Sequence, residues 1–528
     1  MSYKKKTLLL IAIATVVRCM IASTIELGND EVYYRMYAQY LQWNYFDHPP
    51  MVGWLIRLTT FNLWADNEFF IRLGAITAAA FTTWMFFLCG RKLKDACTGF
   101  LAACIYTATI YGSIIAGTFI LPDSPQMICW VAALYYLIGF ARSNDISRDA
   151  KKQLLCFGVV AGIGMLCKIH TSFLWLGLLL YILIYNNRWL KEPVLYFSGI
   201  VTLVFFFPVI KWNIDNHFVT YLYHSQRVEI SKTGVDIESG LTYLAGQFFY
   251  CNPVIIIFIL IALVTAIKNK LPVAASHKRL LLLCSLPLIL AVFIISLFRN
   301  VLPHWTGPGY SGLILLTACY FTKNYEINNL KKRWMPRPLL SANILLLGII
   351  FAGILFIRFF PGTPGKKDIL LLGDGDATLD MIGWKELGKN FHQLAEADVQ
   401  SGMMKKEAVI IADKWFPAAH IDYYVAMRMQ KELIAIGDTD NIHQYVWINN
   451  ERKPLTTGDD AYCIVPSNEY RDIQTMYGSS FVNILPPQVI EQKRNGKACR
   501  RFYIYRLKHF NQQHSLVERI PSFRVNNL

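Results

Sequence analysis

Charge is scarce in this chain: Asp, Glu, Lys and Arg make up only 17% of the 528 residues against 54% hydrophobic, and the mean hydropathy is +0.33. Such a balance excludes an ordinary soluble globular domain and implies a polytopic membrane protein. The twelve cysteines include no CxxC pair, and no histidines show HxxxH spacing, so the chain carries no zinc-binding pattern. Ten of them, Cys19, Cys89, Cys97, Cys104, Cys129, Cys156, Cys167, Cys251, Cys284 and Cys319, lie in or beside apolar segments and read as small buried apolar residues. Cys463 and Cys499 alone fall in the polar C-terminal part, and sequence leaves a disulfide between them open. Internal repeats and low-complexity tracts are absent. No small-x-small cleavage site follows the apolar start before Glu26, so the first 25 residues are expected to stay as a first helix.

What is there is a series of apolar runs. A membrane span needs about 20 apolar residues, and eleven segments qualify as candidates: 7–25, 69–90, 96–116, 121–141, 153–168, 171–186, 193–211, 252–268, 279–298, 305–322 and 338–358. Two boundaries rest on punctuation inside longer runs. One break falls at "LPDSP", where Pro122 and Pro125 bracket Asp123, and the other at "KIHTS", Lys168 to Ser172.

The surplus of cations, formally +16, does not imply nucleic acid, because Lys and Arg of membrane proteins collect in cytoplasmic loops. With the N-terminus inside, alternate loops carry 21 Lys and Arg on the cytoplasmic side, among them Lys331, Lys332 and Arg333, against 8 in the opposite short loops, Lys232 included. The asymmetry predicts a cytoplasmic N-terminus and an outer C-terminal region. No cytoplasmic loop contains a phosphate-cradling GxxxxGK[ST] or GxGxxG pattern. Every unusual polar stretch of the membrane part falls on the outer face, in loops 26–68, 117–125, 212–250 and 299–308 and at "KIHTS", 168–172.

After the Pro/Gly linker "FFPGTPG" at 359–365 the composition turns polar. "EAVIIAD" 407–413 and "KELIAIGD" 431–438 read as buried strands around the amphipathic "AAHIDYYVAMRM". "DAYCIVP" 460–466 and "RRFYIYRLKHF" 500–510 read as further strands. The expected domains are a membrane part, 1–360, and an outer α/β domain, 361–528.

Ionisable groups at a membrane edge are costly enough to be functional candidates. Asp30 and Glu31 stand just beyond the first run, followed by the aromatics of "VYYRMYAQYLQW", with Tyr33 and Tyr34 first. The plain alternative is an interfacial aromatic belt with solvated acids. "FDHPPM" holds Asp47 and His48 on a stiff turn. Asp123 is expected either to cap a helix or to engage a charge. Arg57, Lys168, His170, Lys211, His217, His224, Arg227, Arg299 and His304 supply outer-face cations. Together they suit a lipid phosphate with an acid nearby to move a proton, although each taken singly also suits a snorkelling side chain. A divalent metal on Asp47 and His224 is a weaker alternative, because no spacing supports it.

The order of these motifs resembles that of the integral-membrane GT-C glycosyltransferases, in the bacterial branch related to protein O-mannosyltransferases and to the lipid A aminoarabinose transferase. The match runs through "DEVYY", "DHPP", "PDSP", "KIHT", "WN" with His217, and Gln247 before Asn252-Pro253. It continues in "LPHWTGPGY", "GWKELG", "IIADKWFPAAHIDYYV" and "HQYVWIN". The resemblance implies about eleven transmembrane helices with a C-terminal soluble domain, in a bacterial inner membrane. It also implies inverting transfer of a sugar from a polyprenyl-phosphate carrier to a lipid A, glycan or protein acceptor on the periplasmic face. Asp30, with Glu31 beside it, is then the catalytic candidate, Asp123 matches the second-loop acid, and Asp47 and His48 match the acid and cation of the paired-proline motif. His48 stands where the aminoarabinose transferase pattern has Lys, which counts against lipid A and aminoarabinose as the particular substrates. The rivals from other classes are a transporter or lipid flippase, which should show repeats or broken helices and polar groups on both faces, and a non-catalytic scaffold, which should lose the acids at 30 and 123.

Overall fold

The computed structural model describes residues 1–142, 146–230, 234–325 and 334–511; Lys232, Lys331, Lys332 and Arg333 lie outside them. Each of the eleven apolar segments is occupied by helix, from Tyr3–Ala22 through Glu68–Leu93, Asp123–Phe140 and Arg148–Met165 to Arg337–Phe359. By length and composition, four of the described helices could cross a membrane: Glu68–Leu93, Pro193–Asp215, Ala275–Ser296 and Arg337–Phe359. A fifth span would be Ile237–Tyr250 with Pro253–Ile267, which bend by 100° at their junction. The breaks fall where the prolines and polar residues put them. The run before "LPDSP" ends in a π-turn, Tyr111–Ile115, and a new helix opens at Asp123, with Pro125 in the first turn, where a missing N–H costs nothing. The stretch 212–250, expected as an outer loop, also holds two helices, Val219–Val228 and Ile237–Tyr250.

The chain divides into two compact units, Met1–Ser23 with Tyr37–Ile350, and Thr24–Met36 with Phe351–Leu528. The first is a helical bundle whose backbones approach closely at small residues, as apolar helices without water to drive them together must. A Cβ at Gly99 would lie 2.3 Å from the Phe87 carbonyl oxygen, and one at Gly158 would lie 2.3 Å from Ser198 Oγ. Across that second contact Thr202 Oγ1 donates to the Gly158 carbonyl at 2.7 Å and Ser198 Oγ to the Leu154 carbonyl at 2.7 Å.

The second unit is built on a five-stranded sheet of β1 (Val409–Ala412), β2 (Leu433–Ala435), β3 (Ala461–Pro466), β4 (Phe481–Arg494) and β5 (Lys497–Phe510), in the order β2-β1-β3-β5-β4. β1 is parallel to both neighbours, and β4, β5 and β3 run antiparallel in turn. The four strands expected from the sequence are present. β4 was not expected, because "FVNILPPQVIEQKR" carries two prolines, yet it is an edge strand with a register shift between Leu485 and Gln488, where proline is tolerated. Asn495 and Gly496, both at positive φ, close the hairpin. Cys463 pairs with Tyr505, six residues along β5 from Cys499, and both thiols are free. Buried ion pairs lock the sheet to the rest of the unit. Arg506 grips Asp398 through two bonds of 2.6 and 2.9 Å, and Arg494 meets Asp376 at 2.8 Å.

Candidate active site

In the helical unit the structure draws several of the residues expected on the outer face together around one carboxylate. Asp123 heads its helix with its side chain 2% exposed. Its Oδ2 accepts from Lys168 Nζ at 2.8 Å and its Oδ1 from the Tyr111 hydroxyl at 3.0 Å. Of the two readings left open for this acid, engagement of a charge is the one found. Lys168 arrives on the short segment after the helix Arg148–Met165, and Gln126 Nε2 ties that segment to the helix of Asp123 by donating to Thr171 Oγ1 at 3.2 Å. His170 and His304 stand within electrostatic reach of both Asp123 and Lys168. Burial holds the His304 imidazole down at about 4, with Asp123 opposing and Lys168 adding to the effect. His304 also lines a narrow cleft with Tyr111, Tyr250 and Gln247.

The paired-proline turn joins the same group. Tyr37 donates to the Asp47 carboxylate and stacks on Tyr45 with ring centroids 3.7 Å apart. Tyr45 N in turn donates to the His48 carbonyl at 3.0 Å, so the turn is pinned on both sides. Burial, then His224 and Lys168, keeps the His48 imidazole well below its ordinary range, with Asp123 opposing. His48 is thus neutral at pH 7, and its ring lies 6.0 Å from that of His224. Arg227 lies 5.4 Å over Tyr223 and 5.5 Å over Trp305, whose ring is 6.2 Å from His170. Arg57 is drawn elsewhere, to the Ala38 carbonyl at 2.9 Å and to Asn62. His224 Nε2 meets the carbonyl oxygen of Asp47 at 2.7 Å, not its carboxylate. Among the described residues no group of three or more His, Cys, Asp and Glu is arranged to hold a metal ion, so the pairing of Asp47 with His224 gains no further ligand.

Asp30, Glu31, Tyr33 and Tyr34 belong to the other unit, and the C-terminal residues hold their segment in place. The Glu26 carboxylate accepts from the backbone N–H of Trp384 at 2.8 Å and of Lys385 at 3.2 Å, capping the helix Trp384–Gln400. Leu27 N donates to the Tyr424 hydroxyl at 2.8 Å, and His420 Nε2 lies 3.1 Å from the Leu27 carbonyl and 3.0 Å from that of Asp380. Burial holds His420 down at about 3, so its imidazole is a neutral donor shared between two carbonyls. The helix Asn29–Gln39 begins next. Glu31 is buried and its Oε2 accepts from Gly28 N at 2.9 Å, whereas Asp30 is exposed. Tyr33 accepts from Gln444 N at 3.1 Å and packs 5.0 Å from Trp415 and 5.8 Å from Tyr34. Asp380 interacts with Asn29, Asp30 and Arg500. Burial lifts its carboxyl to about 7, Arg500 opposing.

Sequence reasoning missed Tyr111, Glu26, Asp380, His420 and Tyr424. For Tyr111 no local signal exists, since its role depends on a π-turn that aims it at a residue twelve positions on. The last two lie inside the quoted "IIADKWFPAAHIDYYV", but nothing local couples them to residue 27.

The sequence profile of the family described as Dolichyl-phosphate-mannose-protein mannosyltransferase matches residues 47–212. The lipid A galacturonosyltransferase RgtD of Rhizobium johnstonii is 22% identical over 402 residues, 76% of this chain and 79% of that one. ArnT of Cupriavidus metallidurans superposes with a TM-score of 0.60 in its apo form, at 14% identity over 94% of this chain and 97% of that one. Its complex with undecaprenyl phosphate also gives 0.60, at 15% identity over 97% and 98%.

Proposed function

With the GT-C glycosyltransferase type as premise, we propose that this chain is an inverting transferase that moves a sugar from a polyprenyl-phosphate carrier to an acceptor on the periplasmic face of a bacterial inner membrane. The observation that carries the proposal is the convergence of Lys168, His170 and His304 on Asp123, with His48, His224 and Arg227 beside them. A set with so many nitrogens and one carboxylate already engaged by Lys168 suits a phosphate arriving from the lipid side. The undecaprenyl phosphate named with ArnT supports that carrier class. The acceptor of RgtD supports lipid A over a glycan or a protein.

In this reading the acceptor hydroxyl attacks the anomeric carbon, the carbon–oxygen bond to phosphate breaks, and the electron pair leaves with the polyprenyl phosphate. The hydroxyl proton passes to the Asp30 carboxylate. One base suffices, because phosphate leaves without protonation. Glu31 holds the helix start, Asp123 orients Lys168, and Lys168 with Arg227 stabilises the phosphate charge. Neutral His48 and His170 supply hydrogen bonds to it, Asp47 fixes its turn through Tyr37, and Tyr33, Tyr34, Arg57, His224 and His304 shape the substrate surroundings. The membrane part, 1–360, carries about eleven spans with the N-terminus cytoplasmic, and 361–528 is periplasmic. Purified full-length protein given a radiolabelled polyprenyl-phosphate sugar and an envelope extract tests the reading. Label moved to an envelope glycolipid supports it, and translocation of the donor without transfer contradicts it.

A further inference from the structure

Arg18 sits about one turn before the end of the helix Tyr3–Ala22, is 2% exposed, and does not belong to the cluster around Asp123. Its Nη2 makes two long contacts, 3.3 Å to the Gly112 carbonyl and 3.5 Å to Ser113 Oγ, while its buried Nε and Nη1 have no hydrogen-bond partner. Among the described residues no carboxylate pairs with it. A guanidinium buried without an anion is costly, so its place in the fold calls for a partner of negative charge.

The surroundings indicate what that partner is. Among the described residues Arg18 is the one charged side chain lining a groove between the helices Tyr3–Ala22 and Arg337–Phe359, floored by Leu10, Ala14, Val17, Met335 and Leu347. Gly117 packs against the guanidinium, where a Cβ would lie 3.0 Å from Arg18 Nε. A groove that is apolar along its length and cationic at one end fits an amphiphile with a hydrocarbon tail and an anionic head. The lining on the helix Tyr3–Ala22 runs from Leu10 to Ile21, about 17 Å at 1.5 Å rise per residue, which suits one acyl chain and falls well short of a long polyprenyl tail. We propose that this groove is a binding site for an anionic glycerophospholipid, with one acyl chain along the groove and the phosphate on Arg18. The site is separate from the transfer site, and the proposal does not depend on the reading given for that site. A bound phospholipid would complete the contact of the Arg337–Phe359 helix with the bundle.

The test uses full-length protein in detergent, with native mass spectrometry counting bound lipid during titration with phosphatidylglycerol, phosphatidylethanolamine of the same acyl chains, or undecaprenyl phosphate. One phosphatidylglycerol per chain, retained at least tenfold more strongly than phosphatidylethanolamine and lost in both Arg18→Gln and the groove-filling Ala14→Phe, is expected. One variant removes the charge and the other fills the groove one helical turn away, so a folding defect in one leaves the other informative, and circular dichroism establishes folding in each. Equal retention of the two phospholipids, retention unchanged in folded Arg18→Gln, or Arg18-dependent binding of undecaprenyl phosphate alone would overturn the proposal.

Discussion

Lys168 Nζ and Asp123 Oδ2 lie 2.8 Å apart with both side chains almost fully buried, joining two segments 45 residues apart in the chain. A buried pair of this kind contributes little net stability while intact, and removing one member is expensive because the other charge is left alone. Asp123→Ala is therefore expected to destabilise the helical unit by about 3–5 kcal/mol. The combined Asp123→Asn, Lys168→Met protein should regain most of the thermal stability and none of the transfer. Melting curves of the single and double variants in the same detergent check this, and activity in the double variant would remove Lys168 from the phosphate site.

The cations of the cluster should not contribute equally. His48 is neutral at pH 7 and can offer only a hydrogen bond, whereas Lys168 and Arg227 bring charge. Lys168→Met and Arg227→Gln are expected to raise the apparent KM for donor or lower kcat by tenfold or more, and His48→Gln by only a few fold. Initial rates against donor concentration at pH 7 separate these outcomes.

A titration belongs to the C-terminal unit. Burial lifts the Asp380 carboxyl from 3.8 to about 7, so between those values the folded unit holds a proton that the unfolded chain has released. Its contribution to stability is present at low pH and is lost as pH rises toward 7. Asp380→Asn should flatten that dependence. Asp30→Asn should lower the Asp380 pKa by removing a neighbouring negative charge. Melting temperatures from pH 4 to 8 for the three proteins provide the check.

Tyr424 and His420 act on Asp30 through the segment before it. Tyr424→Phe removes the bond to Leu27 N, worth about 0.5–1.5 kcal/mol, and His420→Leu removes the donor shared by the Leu27 and Asp380 carbonyls. Both variants should lower kcat several fold while leaving the KM for donor unchanged. A change confined to KM would give these residues a binding role instead.

The parts of the fold legible in the sequence are those governed by local chemistry. Hydropathy marked every helix of the apolar series, prolines marked the break before Asp123, and short runs rich in apolar and aromatic residues marked β1, β2, β3 and β5. β4 was hidden because Pro486 and Pro487 argue against a strand until its edge position is known. The Asn495-Gly496 turn was the overlooked local signal. Polar residues of the helical unit were found as types, but nothing local distinguishes Arg57, engaged with Ala38, from Lys168, engaged with Asp123. Least legible was the grouping of Thr24–Met36 with the C-terminal unit, since the Glu26 bond to Trp384 spans 358 residues.

The central claim is that Asp30 is the base of a glycosyl transfer, and the rate of label transfer from a polyprenyl-phosphate sugar by Asp30→Asn protein tests it most directly. The expected result is a loss of about 10²- to 10⁴-fold, the usual contribution of a general base, with membrane abundance unchanged. Transfer at or near the normal rate in that variant would contradict the account.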